Sequence, residues 1–154
     1  MVIENKKVVQ GIIVAGHQVA SGRGLTTPYP DSALKLQAPH FLARGLDISV
    51  YYLGTLNVSI APYQIEQVNG RYRFEHIEWT HLHPPETFSF SPCELTYNQE
   101  TYNGLVYYPH PETKLAHFQN PSILEILTTK IAHIQYGSRV QVGLNLQEIV
   151  IVSS

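Results

Sequence analysis

Short segments rich in β-branched and aromatic residues recur along the chain, and Gly, Pro and Asn residues separate them. The segments that we expect to form strands span residues 8–15, 53–60, 71–83, 88–97, 102–108, 122–127, 139–142 and 148–152. Many short strands at regular spacing are typical of a closed β-barrel. The sequence therefore predicts a mainly β fold with a single closed six-stranded barrel. One or two short helices are expected between Asp31 and Arg44, where Pro39 interrupts a helical pattern.

Two local signals add detail to this prediction. Asn69-Gly70 lies between two short strand-like runs and is a strong signal for a β-hairpin. After the apolar run 122–127, residues 129–134 are expected to form a short helix that leads into the turn Tyr136-Gly137-Ser138.

Size and composition limit the classes of function. The 154 residues fit one domain, 1–154, with enough chain to bury a sizeable core. Only 14% of the residues are charged, and the formal net charge is −2. Because there is no surplus of basic residues to neutralise phosphates over a broad surface, we expect no nucleic-acid partner.

Cysteine usage and the termini indicate a compartment. Cys93 is the single cysteine, which excludes an internal disulfide framework and a zinc site built from cysteines. Residues 1–7 carry charges where a signal peptide would need an apolar segment, and no apolar run reaches membrane-spanning length. We therefore expect a soluble, cytoplasmic protein with no membrane partner.

Segment 53–60 alternates polar and apolar residues without a break. If its apolar residues point into a core, Thr55, Asn57 and Ser59 line the other face of the strand. A hydroxyl and an amide oxygen two residues apart are hard, neutral donors, which suit a hydrated Mg²⁺ whose charge is mostly balanced by substrate phosphates. An ordinary strand with a polar outer face explains the same alternation, so both interpretations stay open.

The first predicted strand runs into a loop that contains three glycines, a serine and an arginine between residues 16 and 24. Glycines let the backbone approach a ligand and turn its N–H groups toward anionic oxygens, and the arginine adds a charged phosphate contact. The candidate nucleotide-binding residues are Gly16, Ala20, Ser21, Gly22, Arg23 and Gly24. The loop is neither a P-loop nor a dinucleotide fingerprint, and a plain surface loop is the alternative interpretation.

Three further positions carry possible chemistry. His81 and His83 have the spacing of a two-histidine metal pair on one strand face, or they are solvent-side residues before Pro84-Pro85. Glu125 lies among aliphatic neighbours, so its carboxylate faces either solvent or a pocket. Loop 109–113 supplies a carboxylate and the Thr113 hydroxyl, or it is a simple turn.

Three motifs in this order resemble the archaeal CTP-dependent riboflavin kinases, which form a cradle-loop (RIFT-like) β-barrel. Segment 11–16 with 20–24 is similar to the family's first strand and glycine loop. Gly54-Thr55-Leu56-Asn57-Val58 resembles its most specific motif, and residues 124–127 with 136–140 resemble its C-terminal segment. The similarity extends over residues 11–142, nearly the whole chain.

The resemblance implies a phosphotransferase that moves a phosphoryl group from a nucleoside triphosphate, CTP by analogy, to riboflavin and so produces FMN. It implies that Thr55 and Asn57 bind Mg²⁺ and that the glycine loop holds the nucleotide. By the same analogy Glu125 is the catalytic residue, near the transferred phosphoryl group, and Thr113 and Glu125 contact the flavin.

The sequence departs from the family at several positions. Leu53 replaces the usual proline, Tyr136-Gly137-Ser138 replaces an acidic turn, and Glu112-Thr113 stands where the family has an Arg-Thr pair. These departures favour an alternative function, a barrel that binds a flavin or nucleotide without catalysis. A metal-dependent β-barrel enzyme built on His81 and His83 is a third hypothesis.

Overall fold

A computed structural model of the chain describes residues 3, 5–15, 33–82, 84–110 and 120–153. The strands are β1 (Lys6–Val14), β2 (Leu56–Ser59), β3 (Tyr63–Val68), β4 (Tyr72–Ile77), β5 (Glu86–Tyr97), β6 (Glu100–Pro109), β7 (Ile123–Thr128), β8 (Arg139–Asn145) and β9 (Ile149–Ser153). Helix α1 spans Leu34–Leu42, and a short 3₁₀ helix spans Ile48–Val50. No helix within these described residues is long and apolar enough to cross a membrane.

Six strands close into a barrel in the order β1, β2, β7, β6, β5, β8, and every neighbouring pair is antiparallel. The ring closes where Leu95 of β5 pairs with Val142 of β8. β4 pairs with the free edge of β5 and extends the sheet beyond the ring. The predicted mainly β fold, with a closed six-stranded barrel and a short helix, is confirmed.

The barrel interior is an aliphatic core, which we call the inner core. Period-two alternation sends every second side chain of a strand inward. Leu56 and Val58 of β2, Val106 of β6, and Leu124 and Ile126 of β7 are all buried there. Apart from Cys93, every buried residue of the inner core is aliphatic.

A second cluster, the outer cluster, lies on the other face of β5, β6 and β7. Its buried residues are Leu34, Phe41, Ile48, Phe74, Ile77, Phe88, Phe90, Leu105, Tyr107 and Leu127. Phe41 of α1 lies at the centre of its aromatic packing, with ring centroids 5.6 Å from Phe74, 5.2 Å from Phe88 and 4.9 Å from Phe90. α1 and β4 thus cover part of the outer surface of the barrel wall. Pro39 lies within this helix without ending it.

The predicted hairpin at Asn69-Gly70 is wrong, because β3 pairs with β9 in a separate two-stranded sheet and β4 pairs with β5. Glu148 fixes the connection between β3 and β4. Its backbone oxygen accepts from Asn69 N at 2.7 Å, and its Oε1 accepts from Arg71 N at 2.7 Å. A side chain at Gly70 would place its Cβ 2.7 Å from the Phe90 carbonyl oxygen, so glycine allows the backbones to cross closely here.

Two other local predictions are wrong. The strand predicted over 71–83 ends at Ile77, because His76 adopts a positive φ of 54° and the register with β5 shifts between Phe74 and Ile77. The helix predicted over 129–134 is a bend followed by a turn. Ile131 and Ile134 are buried in the inner core there, so tertiary packing fixes the segment without a helix.

Candidate functional site

A row of residues crosses four strands on the outer face of the barrel. Asn57 of β2 pairs with Val14 of β1 on one side and with Glu125 of β7 on the other. Glu125 pairs in turn with Tyr107 of β6. Because directly opposite residues of antiparallel strands share a face, all four side chains lie on the face away from the inner core.

Thr55 completes a group that we call the polar cluster: Thr55, Asn57 and Glu125. The Thr55 hydroxyl donates to Glu125 Oε1 at 3.1 Å, across 70 positions of sequence. Thr55 and Asn57 are 5% and 9% exposed, and Glu125 is partly exposed. The predicted metal-binding residues are therefore buried beside the predicted catalytic glutamate and do not line a solvent-facing strand surface.

The donor set of the polar cluster suits a hard cation. A hydroxyl, an amide oxygen and a carboxylate are the ligand types that Mg²⁺ accepts. Since Thr55 gives its proton to Glu125, the lone pairs of its oxygen remain available. The side-chain amide of Asn57 forms no hydrogen bond with another residue of the described chain. In the described ranges no three His, Cys, Asp or Glu residues cluster as a metal site, so a cation here would rely on neutral donors and substrate oxygens.

Tyr107 connects the polar cluster to helix α1. Its hydroxyl donates to Gln37 Oε1 at 2.7 Å, and both side chains are buried. Burial raises the pKa of the Tyr107 hydroxyl well above its usual value of 10.0, and the nearby Glu125 carboxylate raises the pKa further. The Tyr107–Gln37 contact was not predicted from the sequence. The outward direction of Tyr107 does follow from strand alternation along β6, because Leu105 and Tyr107 point outward and Val106 points inward.

A cavity of about 190 Å³ opens where β6 and β7 separate. The two strands pair only as far as Tyr107 and Glu125, although β6 continues to Pro109 and β7 begins at Ile123. The described residues that line the cavity include Ile65, Val106, Tyr108, Asn120, Ile123 and Glu125. The walls of the cavity therefore combine aliphatic side chains with polar groups, and the cavity reaches the polar cluster through Glu125.

A second polar group lies beside Tyr108, whose ring centroid is 4.9 Å from that of His110. Ser89 Oγ and His110 Nε2 are 2.6 Å apart, and Arg73 Nη1 lies 3.4 Å from the same nitrogen. Because a guanidinium only donates, Nε2 acts as an acceptor and the Ser89 hydroxyl donates to it. Ser89 has no exposed surface, so this serine–histidine pair holds the end of β6 against β5 and no substrate reaches it.

The other predicted site residues fall in two groups. His81 is exposed in a turn, so it does not form a strand-borne metal pair, and His83 lies outside the described residues. The candidate nucleotide-binding residues also lie outside them, and so does Thr113. The last described residue before the glycine loop, Ala15, directly follows Val14, which pairs with Asn57.

Comparisons with known proteins give no assignment: no protein-family model matches the chain, and no curated protein matches it either.

Proposed function

We propose that this protein is a riboflavin kinase-like phosphotransferase, which transfers a phosphoryl group from a nucleoside triphosphate, CTP by resemblance, to riboflavin and produces FMN. The observation that supports this proposal is the polar cluster. The β2–β7 pairing sets Asn57 opposite Glu125, and Thr55 donates to the same carboxylate. Two motifs that the resemblance assigns to one reaction are therefore adjacent in the fold.

Thr55 and Asn57 are the residues that would hold Mg²⁺, which neutralises charge on the phosphates when it is bound. Both side chains are buried, Asn57 on β2 and Thr55 directly before it, so their oxygens lose little further freedom on binding. The Thr55–Glu125 hydrogen bond orients the hydroxyl oxygen and the carboxylate with respect to each other. Phosphoryl transfer depends mainly on positioning and charge neutralisation; this arrangement would supply the positioning, and a Mg²⁺ held by it would supply the charge neutralisation.

Glu125 accepts the proton of the attacking hydroxyl, or orients that hydroxyl, in the proposed reaction. Its partial exposure at the edge of the cavity favours this role, because the hydroxyl end of an acceptor chain can reach the carboxylate there. The glycine loop is the proposed nucleotide-binding segment. Its backbone N–H groups would contact the phosphates and Arg23 would add a charged contact.

The proposal is tested by measuring FMN formation from riboflavin and each of the common nucleoside triphosphates with Mg²⁺. We expect the unmutated protein to form FMN with CTP. Glu125→Gln keeps the size and the hydrogen-bonding groups of the side chain, so we expect it to slow this reaction by roughly 10² to 10⁴ while nucleotide binding changes little.

Glu94→Gln is the matched control, because Glu94 lies on β5 and pairs with Lys6 at 3.1 Å, away from the polar cluster. It should leave the rate unchanged. Nucleotide binding without FMN formation by the unmutated protein would reject the kinase and support a binding protein without catalysis. The absence of both binding and turnover with every nucleotide would reject the nucleotide-dependent function altogether.

A further inference from the structure

The cavity between β6 and β7 is a binding site in its own right. We propose that it binds an uncharged or cationic small molecule with one aromatic ring and one hydrogen-bond donor. This inference concerns ligand binding in the absence of nucleotide, so it does not depend on phosphoryl transfer. Its basis is the position, the size and the lining of the cavity.

The position of the cavity is set by the strands around it. Both an inward residue, Val106, and an outward residue, Glu125, border it, as expected for an opening in the barrel wall itself. Ile65 of β3 covers it from outside the ring, and its backbone N–H donates to the Pro121 carbonyl at 2.7 Å. Strands β3, β6 and β7 therefore supply most of the described lining of the cavity.

The size of the cavity selects a single ring. A dry, apolar cavity of about 150 Å³ is large enough to hold benzene. At about 190 Å³, this cavity has room for one six-membered ring and a substituent of one or two heavy atoms. The aliphatic side chains of Ile65, Val106 and Ile123 provide the contacts that an aromatic ring needs, and Tyr108 supplies an aromatic wall.

The lining of the cavity determines the charge and the polarity of the ligand. Glu125 is the charged residue among the described lining residues, and Asn120, Tyr107 and Tyr108 carry neutral polar groups. A carboxylate at the edge of a cavity attracts a cation, accepts a hydrogen bond from a neutral donor and repels an anion. The cavity should therefore discriminate between ligands of the same shape by their charge.

Three probes of nearly the same shape test this inference: benzylamine, benzyl alcohol and benzoate, each titrated alone into the full-length protein. The methyl resonances of Ile65 and Ile123 report on the two sides of the cavity by NMR. We expect benzylamine and benzyl alcohol to shift both resonances to saturation, and benzoate to bind at least tenfold more weakly than benzylamine. Equal affinity for benzoate, or no response of either methyl group to any probe, would overturn the inference.

Two variants separate charge from shape. Glu125→Gln should lower the affinity for benzylamine at least fivefold and change the affinity for benzyl alcohol less than twofold. Equal losses of affinity for the two probes would reject the role of the carboxylate charge. Ile123→Phe fills the cavity and should abolish binding of both probes. Ile12→Phe, at a surface position of β1 that is 45% exposed, is the matched control and should bind as the unmutated protein does. Retained binding by a folded Ile123→Phe variant would place the probes elsewhere and contradict the proposal.

Discussion

The inner core and the outer cluster share the strands β5, β6 and β7 but differ in chemistry. The inner core is aliphatic and lies inside the ring of six strands, with further buried residues from β3, β9 and segment 131–134. The outer cluster is rich in aromatic rings, and α1 covers it without a backbone ladder to the barrel. It also contains polar contacts, because Tyr107 donates to Gln37, and Trp79 Nε1 donates to Glu86 at 2.6 Å.

This difference shows how one barrel wall serves two purposes. Inward residues such as Leu124 and Ile126 fill the inner core, and the outward residue between them, Glu125, belongs to the polar cluster. Backbone pairing that the core stabilises therefore also fixes the separation of the candidate functional groups. Substitutions on the outer face can therefore change the candidate functional groups without removing packing from the inner core.

The largest expected effect is a loss of unfolding free energy when one residue of the inner core is truncated, compared with truncation of one residue of the outer cluster. Ile126→Ala truncates a fully buried residue of the inner core and should lower the free energy of unfolding by about 2–5 kcal/mol, with faster hydrogen exchange throughout the barrel. Phe41→Ala truncates a fully buried ring of the outer cluster. We expect α1 to separate while the barrel stays closed, because no backbone ladder joins them; the loss of unfolding free energy in Phe41→Ala is then limited to the free energy of that opening and should be the smaller of the two.

Chemical denaturation and native-state hydrogen exchange measure this pair of variants. We expect Phe41→Ala to accelerate exchange of the α1 amides at least tenfold and to leave the β2 and β7 amides close to their original rates. Uniform acceleration in both regions would show that the inner core and the outer cluster unfold as one unit, and the comparison would fail.

The next effect concerns a buried hydrogen bond of the outer cluster. Tyr107→Phe removes the hydroxyl and leaves the buried Gln37 oxygen without its donor, so it should cost about 1–3 kcal/mol of unfolding free energy. Tyr102→Phe is the control, because it removes a hydroxyl of the same strand that donates to Glu100 at the surface. It should change the unfolding free energy by no more than about 0.5 kcal/mol. Equal losses by denaturant titration would show that the Tyr107–Gln37 contact does not stabilise α1 on the barrel.

The smallest effect is a pH dependence that arises in the inner core. Burial raises the pKa of the Cys93 thiol from its usual 9.0 to about 12. The folded state therefore keeps the neutral thiol, and the resulting stability is complete below pH 9 and is lost as the pH rises toward 12. Between pH 8 and pH 10 the unmutated protein should lose about 1 kcal/mol more unfolding free energy than Cys93→Ala. If the unfolding free energy of both proteins falls equally with pH, Cys93 is accessible to solvent in the folded state.

Local alternation predicted the parts of the fold that depend on a strand having one buried face. The inward direction of Leu56, Val58 and Ile60 followed from the pattern alone, and so did the strands over 88–97 and 102–108, which the structure has as the paired strands β5 and β6. The burial of Thr55 and Asn57 did not follow, because alternation shows which side chains share a face but not what covers that face.

Long-range partners could not be predicted from the sequence. Asn69-Gly70 has the local signature of a hairpin, yet β3 pairs with β9, which begins at Ile149, and Glu148 holds the connection. The meeting of Gln37 with Tyr107 likewise depends on where α1 packs, across 70 positions of sequence. The β2–β7 pairing that forms the polar cluster has this long-range character too and was not predicted; the resemblance implied only that Thr55, Asn57 and Glu125 act in one reaction.

The most direct test of the polar cluster is a calorimetric titration of CTP with Mg²⁺ and, separately, with a chelator. The unmutated protein should bind CTP only with Mg²⁺. Asn57→Ala should weaken this binding at least tenfold, since it removes a proposed metal ligand. Ser59→Ala is the matched control, because Ser59 lies on the same face of β2 but pairs with Ile123, and it should bind normally. Unchanged affinity in Asn57→Ala, or CTP binding that does not need Mg²⁺, would contradict the assignment of this outer face as the phosphoryl-transfer site.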